Sequence, residues 1–114
     1  MASHEEFEDL VAEAVDELPA WVHERLENVD VLVEAHPPPG QPGLLGLYEG
    51  VPLTRRGSYN AALPDRITLF RSSIEATARH DGTPLKRVIA HTVVHEFAHF
   101  FGISDARLRE LDAY

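Results

Sequence analysis

His95-Glu96-Phe97-Ala98-His99-Phe100-Phe101-Gly102-Ile103-Ser104-Asp105 reads H-E-x-x-H-x-x-G-x-x-D. On a helix, residues four apart differ by about 40° in azimuth and about 6 Å in rise. His95 and His99 can therefore aim their imidazoles at one point, as two zinc ligands do. Glu96 then lies where a carboxylate can act on a water at the metal. With this composition, H-E-x-x-H arises by chance in roughly 4 of 100 such chains. Adding the glycine and the aspartate lowers that to on the order of 1 in 10⁴.

The 114 residues suffice for one domain with one core, expected over 1–114. Hydrophobic content of 44% and charged content of 25% are ordinary for a globular protein. No cysteine is present, so disulfides and thiolate ligands are excluded and a metal must be held by His, Asp or Glu. The acidic start, Met1 to Asp9, has no basic region followed by an apolar run, and no stretch is long enough to span a bilayer. A cytoplasmic location without membrane association is the expectation. The net charge of −9 disfavours nucleic acid and anionic membranes, both polyanions. It is also what plain solubility requires, with a preference for basic substrates as the sharper alternative. Oligomeric state is left open.

Ser3 with Glu6 forms a capping-box pattern, and Phe7, Leu10, Val11, Ala14, Val15 and Leu18 follow the helical period. A helix is expected over about 4–18, ended or kinked at Pro19, with a second short helix carrying Trp21, Val22 and Leu26 inward. The alternating, valine-rich 29–35 segment predicts a strand. Prolines 37–39, followed by Gly40, preclude regular structure, so a plain surface connector is expected, with bordering a cleft or binding a partner domain as the sharper alternatives. Strands are expected over 44–50 and 66–71, with a hairpin or loop at 51–60. Arg55 and Arg56 there are either local charge balance or contacts to a substrate carboxylate or phosphate. One or two helical turns are expected over 73–79, closed by Asp81-Gly82. Thr83 is expected to cap the motif helix, with Pro84 in its first turn. Leu85, Val88, Ile89, Thr92, Val93, Phe97 and Phe100 surround most of that helix, so burial is expected. Gly102 is placed to reverse the chain and bring Asp105 back toward the histidines, and Ser104 to cap a last short helix over about 105–111.

These residues support a metal site with His95, His99 and Asp105 as ligands, an open fourth position, and Glu96 as the catalytic proton carrier. Two imidazoles and a carboxylate suit Zn²⁺, one per chain, and are compatible with Fe, Mn, Co or Ni. The same residues admit a purely structural reading: histidines bonded to carbonyls, Glu96 solvated, and Asp105 at a helix start where the dipole favours it. His91, one turn before His95, makes His91–His95 a second possible pair. Only His95–His99 has the adjacent glutamate and the downstream Gly and Asp.

The segment resembles the zinc helix of the zincin metallopeptidases, in the form where an aspartate replaces the third histidine of the metzincins. Gly46-Leu47-Tyr48-Glu49-Gly50, Leu63-Pro64-Asp65 with Ile67, Phe70-Arg71 and the order of elements are similar to a family of very small bacterial zincin-like proteins, over about Phe7 to Leu111. The resemblance implies an α+β fold: a small mixed sheet against an N-terminal helix and the active-site helix, with a short C-terminal helix. It also implies a zinc metallopeptidase acting on a peptide or small amide. His95, His99 and Asp105 would be its ligands and Glu96 its base. The only methionine is Met1, so the methionine turn of the metzincins has no counterpart, and nine residues follow Asp105, too few for a lower subdomain. These departures motivate an alternative: a metal-binding or partner-binding module on a zincin scaffold, without proteolysis. Tyr48, Tyr59, Tyr114 and His91 are the candidates for a second oxyanion donor.

Overall fold

The computed structural model describes residues 3–50 and 65–100. The elements, in chain order, are α1 (His4–Asp16), α2 (Ala20–Leu26), β1 (Val29–Glu34), β2 (Gly46–Glu49), β3 (Asp65–Phe70), α3 (Arg71–Asp81) and α4 (Leu85–Phe100). The architecture is α+β, as expected. The expected hairpin or loop at 51–60 and the C-terminal helix lie outside the described residues.

α1 begins where the sequence places it. The Ser3 side chain accepts from the Glu6 N–H, and the Glu6 carboxylate accepts from the Ser3 N–H. The helix buries Phe7, Val11 and Ala14. Pro19 does not kink α1. It stands one residue before α2, where its carbonyl accepts from the Val22 and His23 N–H groups. Val22 is fully buried, and the Trp21 ring lies 6.4 Å from that of Phe97 on α4.

The sheet has the order β1-β3-β2, with β1 parallel and β2 antiparallel to the central β3. The register lines up Val31, Ile67 and Tyr48 in one row and Val33, Leu69 and Gly46 in the next. These rows face the helices, and Ile67 and Leu69 are fully buried. The opposite rows carry Leu32, Thr68 and Leu47, then Asp30, Arg66 and Glu49. α4 lies against β2 and β3 on the helix side, and α1 packs chiefly along α4. The proline-rich connector is fastened over the start of α3, where the Ser73 hydroxyl donates to the Pro42 carbonyl and His36 Nδ1 lies 3.1 Å from the Ser72 hydroxyl.

Two expectations need correction. The 73–79 segment is not a turn or two but part of an 11-residue helix, α3, which starts directly at the end of β3. Its buried positions are Ser73, Ile74, Glu75 and Ala78, half of them polar, so its amphipathic pattern is faint. Gly82, at φ +65°, closes it in the left-handed conformation. α4 starts one residue later than expected: the Pro84 carbonyl, not that of Thr83, accepts its first helical bonds, from Arg87 and Val88.

Candidate active site

α4 is buried along most of its length, with Val88, Ile89, Val93, Val94, Phe97 and Ala98 in the core. One stripe is open. His91 and His99 are exposed, while His95 and Glu96 are half-buried. The burial expected around most of the helix leaves this stripe where its polar residues stand, and the opening gives access to them. The His95 and His99 rings have centroids 4.2 Å apart and planes tilted by 56°. The helical period alone brings them together. His91 stacks on the other side of His95, at 5.4 Å and 20°. His95 thus belongs to both possible pairs, and its closer ring neighbour is His99.

β2 lies beside this stripe. The Phe70 N–H donates to the Leu45 carbonyl at 2.9 Å. By the alternation of antiparallel pairing, Leu45 and Leu47 then turn their backbone groups to β3, and Gly46 and Tyr48 turn theirs to the outer edge. The Tyr48 N–H is the hydrogen-bond donor that reaches the Glu96 carboxylate. Burial pushes the Glu96 carboxyl above its ordinary range. Positive charge on His99 and His95, and then the Tyr48 N–H, pull it part of the way back.

The approach of β2 to α4 is close. A Cβ on Gly46 would stand 3.0 Å from the Thr92 methyl and 3.4 Å from Glu96 Cγ. Thr92 is 3% exposed, and its hydroxyl donates to the Val88 carbonyl at 2.8 Å. Of the candidate oxyanion donors, Tyr48 sends its hydroxyl to Asp65 Oδ2 at 2.9 Å, within the sheet. Tyr59 and Tyr114 lie outside the described residues. His91 lines a groove of about 310 Å³ with Leu45, Thr77, Thr83 and Val88, running from the stripe toward the end of α3.

Two imidazoles on one helix face, with no thiolate near, are a donor set that fits zinc. Among the described residues no three His, Asp or Glu side chains converge on one point. The expected third ligand, Asp105, and the Gly102 reversal lie outside those residues. Sequence reasoning missed Gly46 and Thr92 as parts of this site, and the Tyr48 backbone with them. A glycine at the start of a strand is the available signal, since it often marks close approach of another element. No described helix is long and apolar enough to cross a membrane.

No curated protein matches the chain. The family model described as zincin-like metallopeptidase matches residues 26–114, from the end of α2 through both edge strands and the histidine helix. With His95 and His99 side by side, the adjacent glutamate and that match over most of its length, the chain belongs to the zincin-like metallopeptidases.

Proposed function

We propose that this protein is a zinc-dependent hydrolase of peptide or amide bonds, with His95, His99 and Asp105 holding the metal and Glu96 carrying the proton. The observation that supports it most is the setting of Glu96. It is half-buried on the helix that pairs His95 with His99, and it is hydrogen-bonded to the neighbouring strand edge. Bound zinc supplies Lewis acidity, which acidifies water and polarises a carbonyl. Glu96 takes the proton released when water attacks and delivers it to the leaving amine.

The outer edge of β2 supports a substrate in extended form. Gly46 presents its N–H and C=O there, and among the described residues no strand pairs with that edge. A chain lying along β2 passes His91 and enters the groove beside Leu45. The charge of −9 favours neutral or basic peptides over nucleic acid or anionic membrane. A cytoplasmic location goes with this reading.

Protein purified without added metal is expected to contain about one zinc per chain. Glu96→Gln is expected to keep that zinc and to lose roughly 10² to 10⁴ in turnover on a quenched-fluorescent peptide library. Equal turnover by the variant would rule out Glu96 as the proton carrier. Stoichiometric zinc with no cleavage by the wild type would favour the non-proteolytic module.

A further inference from the structure

We propose that Gly46 and Thr92 are positioning residues, which set the spacing at which the β2 backbone meets Glu96. The assignment of Glu96 as proton carrier rests on the proposed function; the spacing itself does not. A Cβ at position 46 would meet Thr92 Cγ2 at 3.0 Å, the Thr68 carbonyl at 3.2 Å and Glu96 Cγ at 3.4 Å. Two of these neighbours cannot yield cheaply. The Thr68 carbonyl belongs to the central strand, held from both sides. Thr92 is β-branched and buried, and its rotamer is held by the bond from its hydroxyl to the Val88 carbonyl.

The part able to move is β2, an edge strand of four residues. Gly46 does not have a positive φ, so its need for glycine comes from space and not from backbone conformation. Any side chain there lifts β2 off α4 by a few tenths of an ångström. Tyr48 is two residues along the same edge, and its N–H is the group that reaches Glu96. Hydrogen bonds weaken steeply as distance and angle degrade, so the displacement is felt there first. Neither Gly46 nor Thr92 touches the metal in this scheme, and Gly46 meets the substrate only through its backbone, so the missing Cβ is felt at Thr92, Thr68 and Glu96. The two act by keeping Glu96 tethered to the strand along which the substrate lies.

The test uses Gly46→Ala and the double variant Gly46→Ala with Thr92→Ser, which removes the methyl in the way and keeps the hydroxyl. Amide hydrogen exchange at Tyr48 and Leu47, read by NMR, is the first measurement. In Gly46→Ala the Tyr48 amide is expected to exchange roughly tenfold faster, while Leu47, paired to Thr68, stays protected. Thr92→Ser in that background is expected to restore most of the protection. Zinc stoichiometry should be unchanged, and on a cleaved peptide kcat should fall with KM little altered. Wild-type protection of Tyr48 in Gly46→Ala overturns the proposal. So does failure of Thr92→Ser to restore it, or loss of the whole fold in both variants, since the effect is confined to β2. The exchange measurement needs neither metal nor turnover, so a protein that cleaves nothing can still pass it.

Discussion

Tyr48 divides its duties between its two halves. Its N–H serves Glu96, and its hydroxyl donates to Asp65, which is only 7% exposed. Tyr48→Phe is expected to cost about 1–2 kcal/mol in urea denaturation, because a buried carboxylate loses a donor. Zinc content and the Tyr48 amide should be unaffected, which separates the side chain from the backbone role. Residues such as His95, Glu96 and His99 were legible in the sequence because one helix, with one period, brings them together. Gly46, Thr92 and the Tyr48 N–H were not. Their meeting depends on β2 crossing α4, and no local pattern in either segment carries that information. Asp105 was read as a ligand on the motif and on the resemblance alone, and the structural description stops short of it.

Among element ends, the start of α1 was the most legible. Ser3→Ala is expected to lower stability by about 1 kcal/mol, read as a shift in the thermal or urea midpoint, since a helix N–H loses its acceptor. The partner in the capping box adds a pH signature. The Ser3 backbone N–H, and then its hydroxyl, hold the Glu6 carboxyl below its ordinary value of 4.5. A depressed folded-state value means stability that is present above pH 4.5 and lost as the pH falls through the folded value. Ser3→Ala keeps the backbone N–H and removes only the hydroxyl, so the gap between the two proteins should narrow by the hydroxyl's smaller share on acidification below that point, and titrating the midpoints of both proteins checks it. α3 was under-read for the opposite reason: Ser73 and Glu75 on its buried side dilute the signal that Ile74 and Ala78 provide. Strand positions followed from valine alternation and glycine boundaries, but pairing did not. Nothing in 29–34 or 46–49 states that β3 comes between them.

At the scale of the molecule, site and core share one helix. Phe97 lies between the two ligand candidates in sequence, is fully buried, and packs near Trp21 of α2. Phe97→Ala is expected to cost roughly 3–5 kcal/mol, a large share of the 5–15 kcal/mol typical of a domain. Calorimetry on the metal-free protein would measure it, and a loss under about 1 kcal/mol would show that the core does not depend on this contact. The α+β character was legible because helical and alternating periods follow one another along the chain; the layering was not, since it depends on α4 meeting α1 and the sheet at once. The strand order also has a chronology. Both edge strands leave the ribosome before the strand that joins them, and α4 follows later still. Among the described residues, neither β1 nor β2 has a native sheet partner before Asp65 is made, so each is until then a template for a neighbouring chain. The order of synthesis therefore adds an exposure to aggregation that the pairing of both strands to β3 in the finished fold reduces.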